Sequence, residues 1–172
     1  MLNPPEFYRP CVGILVFNNE GKVFTAKRLS NKKANTANEK LWQMPQGGIE
    51  INEDPKLAGL RELYEETNIS EDQVEYIAIT HDWLSYDLPA AYLKKNWAGK
   101  YKGQAQHWIL LKFIGDEKHI NVNEPANGQF EAEFSDWRWE EISKLPDLVI
   151  DFKKEIYHKV IAEFEPTIQK HI

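Results

Sequence analysis

The spacing of apolar residues changes several times along the chain, and the changes mark out its elements. Residues 11–17, CVGILVF, are almost continuously apolar, and residues 22–28, KVFTAKR, are β-prone. The polar stretch between them ends in Gly21, so the two runs predict a hairpin. Residues 30–40 are rich in Asn and Lys without an apolar period and read as a mobile surface loop. After WQMPQGG at 42–48, whose proline and glycines mark a turn, Asp54 and Pro55 supply an N-cap and a proline suited to a first helical position. A helix is predicted from Pro55 to Thr67, closed by Asn68 in the left-handed conformation, which Gly would adopt at lower cost. Further β-like runs fall at 74–83, 106–114 and 134–139. A second long helix fits 148–164, where Phe152, Ile156, Tyr157, Val160 and Phe164 recur at helical spacing. This order predicts an α/β fold with a mixed sheet between helices. It lacks the regular alternation, glycine fingerprint and Walker lysine of the doubly wound nucleotide folds.

Composition narrows the picture. A chain of 172 residues is long enough for one well-buried domain, expected to span 1–172, and 42% hydrophobic with 28% charged residues leaves little room for extensive disorder. The net charge of −6 argues against a protein that grips a long nucleic acid, so any such contact is local, to an end rather than along a duplex. The start, MLNPPEFYRP, lacks a signal-peptide pattern, and no run approaches a membrane span, so a cytoplasmic location is expected. The expected state is a monomer without membrane contact. The single Cys11, inside an apolar run, reads as a small core residue. Trp137 and Trp139, two apart on a strand, share a face and read as hydrophobic filler.

The segment 47–66 carries the chemistry. On a helical wheel Leu57, Leu60, Leu63 and Tyr64 fall on one side and Glu62, Glu65 and Glu66 in a sector on the other. The pairs Glu62/Glu65 and Glu62/Glu66 repel, each costing some ~0.2–0.5 kcal/mol unless neutralised. Crowded carboxylates suit a hard divalent ion, Mg2+ or Mn2+, which takes phosphate oxygens as its remaining ligands. Arg61, one turn before Glu65, is placed to fix a carboxylate by a forked hydrogen bond, and Glu53 is close enough in sequence to join the cluster.

These residues resemble the Nudix hydrolase signature. Its positions are Gly47, Glu53, Arg61, Glu62, Leu63, Glu65, Glu66, Asn68 and Ile69, with Asn68 standing where the signature has Gly. The resemblance implies an α/β/α sandwich with a mixed sheet and a metal site at Gly47, Glu62, Glu65, Glu66 and Glu133. Outside the signature, YRPCVG, WQMPQGG, DWLSYDLP, GQAQHW, EF with WRW, and FK occur in the order seen in the bacterial RNA 5′-pyrophosphohydrolases and related dinucleoside polyphosphate hydrolases. By that likeness Glu53, Arg61, Glu66 and Glu133 are catalytic, with the general base open among Glu53, Glu66 and Glu133. Arg9, Arg28 and Lys153 engage phosphates, and Tyr86 and Phe152 meet a nucleobase. Gln104 and Gln106 either touch ribose or base or pair with backbone. The lysines of 93–103 either draw anionic ligands in or form a solvated loop. The expected partner is a nucleoside polyphosphate or an RNA 5′ end. Hydrolysis of nucleoside diphosphate sugars or pool nucleotides, or a non-catalytic module binding nucleotide ends, are the alternatives.

Overall fold

The apolar run at 11–17 becomes the middle of the sheet. In the computed structural model, which describes residues 3–29, 41–93 and 99–172, β1 (Tyr8–Phe17) pairs in parallel with β7 (Gly103–Phe113) from Tyr8↔Gly103 to Phe17↔Lys112. A parallel central pair is covered on both faces, which is why its apolar residues follow one another instead of alternating. Val12, Ile14 and Val16 join Ile109 and Leu111 under the helix α1 (Pro55–Thr67), with Ala58, Leu60 and Leu63. Leu15, Phe17, Trp108 and Leu110 face the other way, onto Ile156, Tyr157, Val160 and Phe164 of α4 (Lys154–Ile168). The result is an α/β/α sandwich around a mixed sheet, with a short turn, α2 (Pro125–Gly128), in the segment that follows β7. The predicted loop at 30–40, and part of the lysine-rich run, lie outside the described residues.

The hairpin expected between 11–17 and 22–28 is a corner instead of a ladder. The strand β2 (Val23–Arg28) registers with β1 at Phe17↔Val23, then diverges to pair with β3 (Trp42–Gln43) and β8 (Phe134–Glu140). The strand β4 (Gln46–Gly48) takes up the edge of β1 opposite Cys11–Gly13. The predicted strand at 74–83 is likewise two, β5 (Val74–Ile79) and β6 (Leu84–Asp87), both antiparallel to β7. Thr80 ends the first, its N–H donating to the Trp108 carbonyl at 2.8 Å and its hydroxyl accepting from the Trp108 N–H at 3.0 Å.

The two helices also depart from their patterns. The 148–164 helix divides into α3 (Leu145–Leu148) and α4, because Val149 and Ile150 are extended and a tight turn at Asp151–Lys153 intervenes. Its far end runs past Pro166 to Ile168, which is buried. For α1 the caps are as read: Asp54 accepts from the Lys56 N–H at 2.8 Å, and Asn68, at φ 64°, donates its N–H to the Tyr64 carbonyl. The packed face is rotated from the expected one. Leu57 is 57% exposed, whereas Glu66 is 5% exposed. The helix lies close to the sheet at Gly59, where a β-carbon would run into Ile109 and Val12, and this approach carries Glu66 inward. Cys11 is buried, and Trp137 and Trp139 pack against Phe24 with ring centroids at 5.5 and 5.9 Å, as their positions implied. Among the described residues no helix is long and apolar enough to cross a membrane.

Candidate active site

The strand β4 and the helix α1 meet along their acidic residues. Gly47 faces Glu62 so closely that a β-carbon at 47 would occupy the space of the Glu62 carboxylate. One residue earlier, the backbone N–H of Gln46 donates to Glu66 Oε2 at 3.1 Å. The carboxylates thus sit against main chain that offers no competing side chain. Burial pushes the Glu66 carboxyl well above the usual range, helped by the nearby charges of Glu133 and Glu62 and opposed by the Gln46 N–H and by Arg28. Glu62 is raised too, burial again leading, with Arg61 pulling the other way.

Arg61 organises the outer part of this cluster. Its fork falls on Glu53, not on Glu65 as the one-turn spacing suggested: Nε to Oε1 and Nη2 to Oε2 are both 2.8 Å. Nη2 also reaches the Gly48 carbonyl at 2.9 Å, while Nη1 donates to Glu62 at 2.8 Å and to Glu65 at 3.4 Å. Glu53 arrives from a tight turn in which the Glu50 N–H donates to its Oε2, and Asn52 is left-handed at φ 64°. Both Glu53 oxygens are therefore engaged, and the Arg61 guanidinium holds this carboxyl below its ordinary range.

Cations approach from the opposite side. Arg9 on β1 lies across Gly48, its guanidinium where a side chain at 48 would be. Arg28 ends β2, and its charge is felt by both Glu66 and Lys153. Lys153, expected to engage phosphate, is only 5% exposed, with Nζ donating to Gln46 Oε1 at 2.8 Å and Gln43 Oε1 at 3.4 Å. Burial, then Arg28, pulls this amine down to about 7, against the upward influence of Glu66 and Glu133. Glu133 is exposed just before β8, its carbonyl accepting from the Leu29 N–H at 2.9 Å. Gly47, Glu53, Arg61, Glu62, Glu65, Glu66, Glu133, Arg9, Arg28 and Lys153 are thus brought to one region, around 46–48.

A match to the NUDIX domain model covers residues 7–163. The chain belongs to the NUDIX family. It is 48% identical over 157 residues to an RNA pyrophosphohydrolase of Azorhizobium caulinodans, covering 91% of this chain and 92% of that protein. An RNA pyrophosphohydrolase of Rhodopseudomonas palustris is 44% identical, covering 91% and 87%. Among solved structures, the E. coli dihydroneopterin triphosphate pyrophosphohydrolase superposes with a TM-score of 0.65 at 15% identity, over 92% of this chain and 99% of that one. A C. elegans Ap4A hydrolase does so at 0.59 and 18%, over 92% and 98%. This NUDIX chain is a hydrolase of phosphoanhydride bonds.

NUDIX hydrolases generally use divalent cations. Among the described residues no group of three or more His, Cys, Asp or Glu side chains is already gathered closely enough to hold a metal ion. The donor set nevertheless fits one: hard carboxylate oxygens, two of them raised by burial and by the charges of neighbouring carboxylates, beside a glycine whose missing side chain leaves them room.

The aromatic and glutamine residues expected to meet a nucleoside lie differently from their sequence reading. Tyr86 is 8% exposed, stacks behind Phe152 at 5.9 Å and donates its hydroxyl to Gln104 Oε1 at 2.5 Å. The half-buried Phe152 and the exposed Tyr92, at 5.1 Å from it, form the outer aromatic surface. Gln104 and Gln106 bond side chains: Gln106 Nε2 donates to Gln46 at 3.1 Å and its Oε1 accepts from the Trp108 indole at 3.1 Å. Sequence reasoning missed Gln43, Gln46 and Tyr92. The two glutamines flank Met44-Pro45 in WQMPQGG, a stretch whose proline and glycines drew attention to its turn and away from its side chains.

Proposed function

We propose that this chain hydrolyses the triphosphate at RNA 5′ ends to a monophosphate and pyrophosphate, and that the same site cuts dinucleoside tetraphosphates asymmetrically to ATP and AMP. The observation that carries this reading is the meeting, around 46–48, of Glu62, Glu65 and Glu66 from one side with Arg9, Arg28 and Lys153 from the other. Such a facing pair of charge clusters suits a string of phosphates with an accompanying cation, and both substrates present a nucleoside carrying several phosphates. The likeness to proteins named RNA pyrophosphohydrolase over nine-tenths of the chain supports the RNA end as substrate.

Glu62, Glu65 and Glu66, beside Gly47, would hold the cation, for which we propose Mg2+ or Mn2+; of the two roles open to Glu133, ligand or catalytic carboxylate, we propose the second. Bound there, such an ion neutralises charge on the bridging and leaving oxygens. Water adds to phosphorus as the anhydride P–O bond breaks, and no covalent enzyme intermediate forms. Glu133 takes the proton of that water: it is the exposed carboxylate of the set, whereas Glu66 is buried and both Glu53 oxygens are engaged. Glu53 and Arg61 instead hold Glu62 and the Gly48 carbonyl in place. Arg9 and Arg28 bind phosphate oxygens, and Lys153, with its lowered affinity for protons, takes one up as an anion approaches. Phe152 and Tyr92 offer the aromatic surface for a base, with Tyr86 as its backing.

The test is kcat/KM for triphosphorylated RNA and for diadenosine tetraphosphate under one Mg2+ condition, with product analysis, repeated on Glu65→Gln. Release of pyrophosphate from RNA, abolished in the variant, is expected. Binding of both substrates without turnover of either overturns the reading in favour of a non-catalytic module.

A further inference from the structure

We propose that Asn68 is a positioning residue for Glu133, acting through a side-chain clamp on the segment that leads to it. The proposal rests on the reading of Glu133 as the base. Asn68 occupies the left-handed closing position of α1, and there its main chain alone makes the cap, to the Tyr64 carbonyl at 3.0 Å. Glycine, which the signature has here, would make the same cap without strain. The carboxamide is therefore surplus to closing the helix, and its bonds go elsewhere.

Both of its ends reach the segment between β7 and β8. Nδ2 donates to the His119 carbonyl at 2.9 Å, and Oδ1 accepts from the Asn127 N–H at 3.2 Å. Two neighbours of Asn68 reinforce the tie: the Asn127 carboxamide donates to the Tyr64 hydroxyl at 3.2 Å, and the Asn121 N–H donates to the Thr67 carbonyl at 2.9 Å. The clamped turn is unusual. Ala126, Asn127 and Gly128 are all left-handed, at φ 49°, 56° and 78°, and Ala126 has no accessible surface. Ala has no intrinsic preference for that region, so the turn persists because its surroundings hold it.

Glu133 follows six residues after Asn127, with exposed or partly exposed chain between them. Its own main chain is tied to Leu29 at the mouth of β2. The base is thus suspended between the β2–β8 ladder on one side and Asn68 on the other. Because Asn68 directly continues the turn that bears Glu65 and Glu66, it sets where the approaching chain lies relative to those acids.

The experiment is a double-mutant cycle on the full chain with Mg2+ and triphosphorylated RNA, using Asn68→Gly and Glu133→Gln. Asn68→Gly keeps the cap and loses only the clamp. It should fold with near-native Tm and lower kcat about tenfold, roughly 1.4 kcal/mol, while KM changes less than twofold. On the Glu133→Gln background the same substitution should cost nothing further. Asn68→Asp, which keeps the acceptor for Asn127, should recover most of the turnover. An unchanged kcat in Asn68→Gly, equal losses in Asn68→Gly and Asn68→Asp, or additive losses in the double variant overturns the clamp while leaving Glu133 as base. An unchanged kcat in Glu133→Gln instead overturns the assignment of the base, and the clamp with it.

Discussion

Replacing Lys153 by Met tests the electrostatics of the recess beneath the cation cluster. The side chain is 5% exposed, and among the described residues its donors meet neutral glutamine oxygens at 2.8 and 3.4 Å and no carboxylate, so the charged form loses its hydration without a directly paired anion. Its proton affinity falls from the ordinary 10.5 to about 7. For an amine lowered on folding, the unfolded chain holds the proton between those two values while the folded one does not. The cost is present in full below about pH 7 and fades as pH rises towards 10.5, so stability increases with pH in that window. The limiting slope is about 1.36 kcal/mol per pH unit, and because the folded amine is still half protonated at pH 7 the gain between pH 7 and 9 is about 2 kcal/mol instead of the full ~2.7. Urea denaturation in EDTA at pH 7, 8 and 9 measures this, and subtracting the curve of Lys153→Met removes the titrations common to both proteins. The native chain should gain the 2 kcal/mol relative to the variant. Parallel pH dependences would refute the argument, showing an amine that keeps its proton by reaching water or a carboxylate.

Glu62→Gln and Glu66→Gln should each cut turnover by about 10²–10³-fold in steady-state assays with Mg2+, the scale of removing one transition-state charge contact. Metal-free Glu66→Gln should melt no lower than the native chain at pH 8. A carboxyl raised on folding stabilises fully below its unfolded value and loses that contribution as pH rises through its folded one, and Gln mimics the protonated form. Gly47→Ala, whose methyl would displace the Glu62 carboxylate, should lose about 10²-fold in kcat with a weakened Mg2+ dependence, read by metal titration of activity. Asp54→Ala removes the cap on the Lys56 N–H and should cost about 1 kcal/mol in chemical denaturation.

Local rules made much of this protein legible. The Asp54-Pro55 start, the Asn68 stop and the spacing of Glu62, Glu65 and Glu66 depend on residues within a few positions of each other, and each lies where those rules put it. The apolar run of β1 marked a strand for the same reason, but its parallel pairing with β7 and its cover on both faces came only with the fold. The depth of each functional group was another matter. A helical period places Glu66 around an axis but does not say where the sheet lies, and close approach at Gly59 turned it inward. The fork of Arg61 went to Glu53 because a turn delivered both carboxylate oxygens to it, whereas Glu65, one helical turn away, meets a single nitrogen at 3.4 Å. Lys153 and Tyr86, read as groups that meet the ligand, were drawn below the surface by partners 107 and 18 residues away in the chain. Pattern along a chain reports directions, because these follow from local backbone geometry. Burial and partnership are properties of the space between elements, and they exist only once β4, α1, β7 and α4 have closed on one another.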